Sequence, residues 1–427
     1  MTLGREFNLL WAGQTVSNVG DKITLFVVPT VMILLLHASA FQVGLVGMAQ
    51  YLAIPLLSLV AGMLVDRWNL RATLVACDLI RLLVVLSMPI AYWLDVLSIP
   101  LVFAAVAVLN ATSVFFNIGY TATIAAIVPG DGRVKAYANL ETSRTASEVV
   151  GPAIAGVLYQ LMGVASLVVD AVTYLVSAGS IRAMQPYGSA VERKESMWAR
   201  LKQGVLLNWR DPVLRRTVQG TLLANIGGPI YVTVMPMFAY RGLGLSVGVM
   251  GAAMSVAAAG AVVGTFFAQR ISRKIGAARV MPWSIFLHSF VGLGILAAPA
   301  LPGAVVIGAT LAAYGFFMVW YNVSTAAVRQ ARVPVSDQAV SHAAFRTITW
   351  GIIPLSVFVG GVGVDLLDDR FGILDATKIT MIFGTLIGTF FAAVPLWAVH
   401  RLVTAAASDS DAAAPAATGV PEKVRAA

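Results

Sequence analysis

Long apolar segments separated by short polar connections make up most of the 427-residue chain. A helix crosses a bilayer with about 20 predominantly apolar residues, and twelve segments reach that length. The pattern therefore predicts an all-α integral membrane protein with twelve transmembrane helices. The predicted spans are residues 9–36, 41–65, 72–94, 98–127, 138–161, 164–184, 213–240, 245–269, 277–299, 301–328, 338–364 and 373–400.

Short windows from the two halves of the sequence resemble each other. Residues 18–29, NVGDKITLFVVP, align without gaps with residues 225–236, NIGGPIYVTVMP, at an offset of 207. Residues 115–129 align with residues 320–334 at an offset of 205. Six predicted helices separate equivalent positions, and an even number of crossings restores the same orientation. The sequence thus predicts two parallel six-helix bundles with a substrate cavity at their interface near the membrane midplane.

The same patterns divide the chain into four regions. Residues 1–184 and 213–401 are predicted to form the two bundles, and a cytoplasmic linker over residues 185–212 joins them. Apolar residues recur at helical spacing within this linker, which fits either an amphipathic helix on the inner leaflet or a solvated linker helix. The low-complexity residues 402–427 are expected to form a disordered cytoplasmic tail.

Composition and charge limit the possible functions. Hydrophobic residues make up 59% of the chain and charged residues only 11%, whereas soluble domains carry about 25% charged residues, so a water-soluble enzyme is excluded. Of the 29 Lys and Arg residues, 22 fall on the predicted side of the two termini and three on the opposite side. Because cytoplasmic loops carry such an excess, both termini are predicted to be cytoplasmic in a plasma-membrane protein. The net charge of +9 then requires no nucleic-acid partner.

Sequence motifs for cofactor chemistry are absent. No GxxxxGK[ST] loop is present, so ATP is not expected to be the energy source. The four histidines are scattered and Cys77 is the single cysteine, so the sequence offers no ligand cluster for a metal. We therefore expect a monomer without catalytic residues, cofactor or bound metal.

The connection after the second span resembles a known loop signature. It reads GMLVDRWNLR and is similar to the signature that follows the second helix in the major facilitator superfamily. The matching residues are Gly62, Asp66, Arg67 and Arg71. The departures are Asn69, where the signature has glycine, and Ala72, where it has a second basic residue.

The fifth span carries a second motif of this kind. Its GPAIAG segment, with Gly151, Pro152 and Gly156, resembles the motif associated with antiporters of the same superfamily. The opening FNLLWAGQTVSNVGDKI, the CDLIRLL of the third span and AYANLETSRTASEVVGPAIAG look like the branch that includes bacterial enterobactin exporters and macrolide efflux proteins. The three motif residues also suit bending and close helix packing, because proline frees a carbonyl and small residues let helices approach.

The resemblance implies a secondary active transporter that couples protons to the efflux of amphipathic small molecules such as drugs, antibiotics or siderophore-like metabolites. Its partners would be the substrate, protons and the lipid bilayer. The residues do not give the direction, so an uptake symporter for a small metabolite stays open. A membrane-embedded transferase would need a catalytic base at a membrane face, and a non-transporting sensor or scaffold would tolerate loss of Asp21 and Glu148.

Charged residues near the loop signature are candidates for gating. Asp66 is expected to interact with the positive N-terminal end of the eleventh helix, near residues 336–340, and to hold the halves together in one state. The alternative is that the loop only reports membrane topology. Asp78 and Arg81 lie three residues apart in the third span and are expected to form a charge relay with the Asp66 loop.

Asp21 and Lys22 are adjacent charges at the centre of the first span. A lone charge at the bilayer centre costs about 2.5–3.5 kcal/mol, so Asp21 should face the cavity or a partner. It either binds a proton or cation or forms a structural pair with Lys22. The repeat places Gly228 and Pro229 at the equivalent positions. Asp170 in the sixth span is expected only to anchor a neighbouring helix.

The fifth span carries Glu141, Arg144 and Glu148 on one helical face, because they are three and four residues apart. Glu141 and Arg144 are expected to form an ion-paired gate, and the deeper Glu148 beside Arg144 is a candidate for proton coupling. Arg346 occupies the position in the eleventh helix equivalent to Glu141, so the repeat exchanges one sign of charge for the other. This asymmetry favours a gating role for Arg346.

Aromatic and amide side chains within the spans are candidates for the wall of the cavity. Apolar walls with few polar groups suit large amphiphiles, although each such residue also fits a position in the bundle core or against lipid. The candidates are Asn18, Tyr51, Phe116, Asn117, Tyr120, Asn225, Trp320, Tyr321, Asn322 and Trp350.

Overall fold

A computed structural model of the chain describes residues 3–65, 67–185, 197–298 and 300–413. These described residues form helices, turns and short connections, with no strand. The helices of the first half are α1 (Gly4–Leu34), α2 (Ala40–Val65), α3 (Leu70–Trp93), α4 (Ile99–Ile127), α5 (Gly130–Met162) and α6 (Leu167–Arg182). A linker helix and the helices of the second half follow as α7 (Met197–Arg210), α8 (Pro212–Met237), α9 (Val247–Ile275), α10 (Ala277–Gly292), α11 (Gly303–Arg332), α12 (Gln338–Trp350), α13 (Ile353–Leu386) and α14 (Ala392–Ala413).

Ten continuous helical stretches in the described chain are long and apolar enough to span a membrane. Two of them, Gly132–Arg182 and Val340–Ala405, contain 51 and 66 residues and are too long for one crossing. Each is interrupted by a glycine in the left-handed region, Gly163 at φ +57° and Gly372 at φ +75°, which allows the chain to turn back. The described residues therefore make twelve crossings, six in each half, and the predicted twelve-helix architecture is confirmed.

Twelve crossings place both ends of the chain on one side of the membrane, which we name the terminus side. The opposite side is named the far side, and it holds the turns at Gly163 and Gly372 as well as the connections 35–39, 94–98 and 243–246. Helices α2 and α9 begin at the far side, whereas α5 and the crossing formed by α12 and α13 begin at the terminus side. This polarity decides which parts of each helix meet.

Two helices on the terminus side begin at polar caps. The Oδ1 atom of Asn69 accepts the N–H of Ala72 at 3.0 Å and caps α3. Asp211 accepts the N–H groups of Val213 and Leu214 at 2.7 and 3.0 Å, and Pro212 occupies the first turn of α8. Such caps satisfy N–H groups that have no partner within the helix. Asn69, a departure from the loop signature, therefore has a structural role here.

The helices pack mainly against other helices of the same half, and fewer pairs connect the two halves. In the first half α1 packs on α5 and α6, and α3 packs on α4 and α6. In the second half α8 packs on α13 and α14, and α9 packs on α11. The two halves meet mainly through α2 against α13 and α5 against α9. A buried apolar cluster continues across this contact, from Val27 and Val43 in the first half to Val234 and Met250 in the second.

The linker helix α7 packs on α12 and α8. A side chain at Gly204 would overlap the backbone of Val340, so the two helices approach closely there. The buried Asn208 donates from Nδ2 to the carbonyl of Ser341 at 2.9 Å. The predicted helix in the linker is therefore present, and the described part of it lies against the start of the eleventh crossing. Residues 186–196 of the linker lie outside the described part of the chain.

The end of the chain differs from the prediction. Disorder was expected from residue 402, but α14 continues to Ala413 without a break. Residues 402–413 are rich in alanine, a strong helix former, and extend the preceding apolar helix. The expectation for residues 414–427 lies outside the described residues.

Candidate transport pathway between the two halves

Helices α5 and α9 meet at the far side through small residues of the GPAIAG motif. A Cβ at Gly156 would stand 3.2 Å from the carbonyl of Val247 and 3.3 Å from the Cα of Gly251. The N–H of Ala153 donates to Oγ of Ser255 at 2.9 Å. A proline inside a helix disrupts the backbone hydrogen bonds next to it. Pro152 therefore suits a site where the following N–H, that of Ala153, bonds to a side chain of another helix. The motif therefore forms a close contact between the halves.

Helices α2 and α13 form the equivalent contact. A Cβ at Gly44 would stand 3.0 Å from the Cα of Gly361, and the repeat relates Gly361 to Gly156 at an offset of 205. The rings of Phe41 and Phe358 meet edge to face with centroids 5.5 Å apart. The two junctions therefore share one design, in which small residues let two helices from different halves approach closely.

Asp365 adds a charged contact to the junction of α2 and α13. Its carboxylate accepts Oγ–H of Ser39 at 2.6 Å and the N–H groups of Ala40 and Phe41 at 2.9 and 3.0 Å. These donors form the first turn of α2, whose N-terminal end carries partial positive charge. Asp365 therefore caps a helix of the other half, a geometry that joins the halves at the far side.

Two further hydrogen bonds join the halves at the far side. The hydroxyl groups of Thr30 and Tyr240 lie 3.1 Å apart. Arg241 donates from Nη2 to the carbonyl of Ile33 at 3.0 Å. Together with Asp365 and Ser255, these contacts stabilise closure of the far side in this structure.

A chain of charged side chains lies near the middle of α1 and α5. Arg144 donates to Glu141 from Nε at 2.9 Å and to Glu148 from Nη1 at 2.5 Å, and Lys22 lies 3.5 Å from Glu148. The absence of a side chain at Gly151 leaves room for the Lys22 side chain, because a Cβ at position 151 would overlap it. The predicted shared face of the three α5 residues is confirmed by these bonds.

These charges are accessible although they lie in the middle of membrane-spanning helices. The side chains of Glu141, Arg144 and Glu148 are 62%, 50% and 38% exposed. Charged groups facing lipid are strongly disfavoured, so exposed charges in a span line a water-filled space. The exposure of these charges therefore favours contact with water rather than with lipid.

A second charged group lies inside the first half. Arg81 donates to Asp78 at 2.5 Å, and their side chains are 4% and 0% exposed. Asp78 also accepts the hydroxyl of Ser177 at 2.7 Å. The Arg81 guanidinium lies 4.1 Å from the ring centre of Phe116 and 4.7 Å from that of Tyr174. The pair thus faces the bundle interior and α6, and the relay to the Asp66 loop stays a prediction because Asp66 lies outside the described residues.

Asp21 joins this buried group rather than its neighbour Lys22. The hydroxyl of Tyr174 donates to Asp21 at 2.6 Å, and the described ion pair of Lys22 is with Glu148. The expected structural pair of Asp21 and Lys22 is therefore not formed. Asp170 lies one helical turn before Tyr174 and is completely buried.

The loop signature is only partly described. Asp66, the expected latch to the eleventh helix, lies outside the described residues. Gly62 is half-buried in α2, and Arg67 is exposed. Arg71 donates to the carbonyl of Arg182 at the end of α6, so it stabilises that helix end within the same half.

The candidate wall residues separate into two groups. Phe116 and Tyr321 are buried in the cores of their own halves, and the Tyr321 hydroxyl lies 2.6 Å from that of Thr221, so the prediction that they line the cavity is wrong. Trp320 donates to the carbonyl of Gly264 at 3.0 Å and lies between α9 and α11. An aromatic residue at helical spacing fits a bundle interior as well as a cavity, which explains these errors.

The other candidates are exposed or half-buried. Asn117, Asn322 and Trp350 are exposed, and Arg346 lies 4.2 Å from the ring centre of Trp350. Asn225 is half-buried and donates to the carbonyl of Thr349 at 2.7 Å. The half-buried candidates are Asn18, Tyr51 and Tyr120. These residues stay available to a pathway between the halves.

Sequence reasoning missed Asp365, and the chain contains a signal for it. Ser39 and Gln42 form a capping box, in which the N–H of Ser39 donates to Gln42 at 2.9 Å and the N–H of Gln42 donates to Ser39 at 3.3 Å. The box marks the start of α2, and Asp365 directly follows the predicted span 338–364, at the same side of the membrane as this box. Their pairing depends on the packing of α2 against α13, which the sequence pattern does not contain.

Comparisons with known proteins agree with this architecture. The structure is similar to a mutant of the nucleoside transporter NupG with a TM-score of 0.73 and 16% identity, covering 92% of this chain and 100% of that one. It is also similar to a bacterial homologue of the human lysosomal transporter Spinster in an inward-facing, unoccupied conformation (TM-score 0.73, 14% identity, 93% and 96% coverage). A bacterial homologue of the iron transporter ferroportin in an inward-facing state matches with a TM-score of 0.72 and 14% identity, over 94% of this chain and 100% of that one.

Sequence comparison identifies the family. No curated protein sequence matches the chain. The family model of the Major Facilitator Superfamily matches residues 10–356, which is most of the chain. This match agrees with the twelve crossings, the repeat and the small-residue junctions between the halves. The chain belongs to the Major Facilitator Superfamily and is a multi-pass membrane transporter rather than an enzyme.

Proposed function

We propose that the protein couples proton movement to the export of amphipathic small molecules from the cell by alternating access. The observation that carries the proposal is the combination of a closed far side with accessible charges at mid-span. Asp365 and the two glycine junctions close one end of the interface, while Glu148 is 38% exposed within the bilayer. A substrate pathway open to one side at a time has this geometry.

The distribution of basic residues supports an assignment of sides. The excess of Lys and Arg on the terminus side favours a cytoplasmic location for both termini in the plasma membrane. In that orientation the far-side contacts close the interface towards the outside, and the exposed charges of α5 are accessible from the cytoplasm. An exporter would load its substrate in this state.

Glu148 is suited to coupling because it lies between two cations. Its carboxylate contacts Arg144 at 2.5 Å and Lys22 at 3.5 Å. Protonation of Glu148 removes the charge that attracts Lys22, which belongs to another helix, and so loosens α1 from α5. Asp21, which accepts a hydrogen bond from Tyr174, is adjacent to Lys22 in α1. A movement of α1 relative to α5 would therefore also displace Asp21. We propose Asp21, Arg144 and Glu148 as the coupling group.

Closure of the terminus side completes the cycle in this proposal. Glu141 and Arg346 carry opposite charges on equivalent helices of the two halves and are both exposed in this structure. They are available to pair across the pathway when the terminus side closes, and the proposed latch between Asp66 and the N-terminal end of α12 would form in the same state. Exposed Asn117, Asn322 and Trp350 offer the substrate a few polar groups beside apolar wall.

Substrate-driven proton movement in sealed vesicles tests the proposal. Purified protein is reconstituted with a pH-sensitive dye inside, and lipophilic cations, macrolides, siderophore-like compounds and nucleosides are added outside. At least one amphipathic compound is expected to move protons outward through the wild-type protein. Asp21→Asn and Glu148→Gln should abolish this signal, whereas the exposed loop control Asp95→Asn should keep it.

Several outcomes separate the alternatives. Solute and protons moving in the same direction would indicate an uptake symporter. Solute movement that ignores the pH gradient would overturn proton coupling. No movement of any compound, with correct insertion shown for every variant, would contradict transport by this chain under a proton gradient.

A further inference from the structure

The charged groups around Arg81 inside the first half do not balance. Three carboxylates, Asp21, Asp78 and Asp170, share one guanidinium, Arg81, and Arg81 bonds directly to Asp78. The described partners of Asp170 are hydroxyl groups, because Thr173 donates to Oδ1 at 3.1 Å and Thr24 donates to Oδ2. Asp170 is 0% exposed. An ionised carboxylate buried with neutral partners is strongly destabilised.

Helix α1 packs closely against the Asp170 carboxylate. Any side chain at Gly20 would overlap Oδ1 of Asp170 and the hydroxyl of Thr173. Glycine at this position therefore lets the α1 backbone approach Asp170 and excludes bulk water from it. Asp170 is held in a tight pocket on the side of α6 that faces α1.

A second observation points to a small ligand in the same place. Arg81 is 4% exposed, and its Nε atom has no hydrogen-bond partner among the described residues. Buried unpaired donors in polar surroundings are ordinarily satisfied by ordered water. Arg81 interacts electrostatically with Asp21, Asp78 and Asp170, so a water molecule bound at this atom would lie within their charged group. Such a water would provide a path for a proton through otherwise apolar packing.

We propose that Asp170 is the residue on which the transported proton rests, and that Asp21 is its entry point from the pathway. Asp21 is half-buried and bonded to Tyr174, whereas Asp170 is fully buried. The charged groups that face Asp170 are Asp21 from α1 and Arg81 from α3. The proton passes from water to the Asp21 carboxylate and then to the Asp170 carboxylate, and no other bond changes.

This inference rests on the proposed proton coupling, and it differs from the prediction that Asp170 only anchors a helix. It also gives the two halves different tasks. The repeat places Gly228 at the position of Asp21, at an offset of 207. The second half therefore lacks the entry carboxylate at the equivalent position, and the described proton site belongs to the first half.

Infrared spectroscopy of the full chain in lipid nanodiscs tests the site without any substrate. A buried, protonated carboxyl group gives a distinct carbonyl-stretching band. At neutral pH this band is expected in the wild-type protein and in the control Asp375→Asn, which changes an acid that is 59% exposed. Asp170→Asn should lose the band. Asp21→Asn should keep it but respond more slowly to an alkaline jump, because the entry point is removed.

A second variant keeps the test decisive if Asp170→Asn does not fold. Thr24→Val removes one hydrogen bond to the carboxyl group and should shift the frequency of the band without abolishing it. Persistence of an unshifted band in Asp170→Asn or Thr24→Val would overturn the assignment. Loss of the wild-type band on addition of sodium at constant pH would also overturn it, in favour of a cation site.

The vesicle experiment and the infrared experiment test the proposed function and the proton site separately. A band that depends on Asp170, together with no substrate-driven proton movement, would support the proton site and contradict coupling. Proton-coupled transport that survives in Asp170→Asn would overturn this inference and leave the proposed function intact.

Discussion

Arg81 neutralises Asp78 inside the first half while lying against two aromatic rings. The pair is almost completely buried, at 4% and 0% exposure. Removing one partner of a buried ion pair costs about 3–5 kcal/mol, because the remaining charge has no compensation. We expect Arg81→Met to lower the free energy of unfolding by about this amount, measured by denaturant unfolding of the purified protein in detergent.

The double variant Asp78→Asn/Arg81→Met is the control for this prediction. It removes both charges, so most of the lost stability should return. Residues in contact show coupling energies of about 0.5–3 kcal/mol in such cycles. Destabilisations that simply add in the double variant would show that the pair is not coupled.

Single side chains were predictable where spacing alone decides their position. The three and four residue spacing of Glu141, Arg144 and Glu148 placed them on one face, and their hydrogen bonds agree. Phe116 and Tyr321 were misplaced because a helical pattern does not distinguish a bundle interior from a cavity wall. The partners of Asp170 and Asp365 come from distant helices, so no local pattern contains them.

At the scale of elements, one helix end is controlled by a charge from the other half. The Asp365 carboxylate accepts three hydrogen bonds from the first turn of α2. Hydrogen bonds to charged groups contribute about 1.5–3 kcal/mol. We expect Asp365→Ala to weaken far-side closure about tenfold, which corresponds to about 1.4 kcal/mol, and Asp365→Asn to have a smaller effect.

Cross-linking across the far side measures this change. Phe41 and Phe358 face each other with ring centroids 5.5 Å apart, so a Phe41→Cys/Phe358→Cys pair in a Cys77→Ser background should cross-link when the far side is closed. The rate should fall with Asp365→Ala and stay unchanged with the exposed Asp369→Ala on the same helix. An equal rate in both variants would remove Asp365 from the closing contact.

The number and order of the membrane-spanning helices could be predicted from the apolar pattern, whereas the end of the last helix and the contacts between helices could not. The break at Gly372 in the described chain lies between the eleventh and twelfth predicted spans, and Gly163 lies between the fifth and sixth. The continuation of α14 to Ala413 was missed because alanine-rich sequence was interpreted as low complexity. Packing of α7 on α12 depends on tertiary contacts at Gly204 and Asn208.

At the scale of the whole molecule, the repeat explains why closure occurs at two equivalent places. Gly44 against Gly361 and Gly251 against Gly156 are related by offsets of 207 and 205. The polar contacts beside them differ, because Asp365 caps α2 whereas Gln160, its equivalent, lies beside Gly248 at the start of α9. One junction therefore depends on a charge, and the other relies on packing and neutral groups.

Access to the pathway from one side only is the property that the whole arrangement predicts. Asn18 lies one helical turn before Lys22 on the same face of α1, so Asn18→Cys in a Cys77→Ser background should report on the pathway. We expect a membrane-impermeant maleimide to label it from the terminus side and at least about tenfold more slowly from the far side, since about 1.4 kcal/mol of closure suffices for that ratio. Val96→Cys, in an exposed far-side connection, should show the opposite preference. Equal labelling of Asn18→Cys from both sides of sealed vesicles would contradict a closed far side, because the junctions at Gly156 and Gly361 would then fail to exclude the reagent.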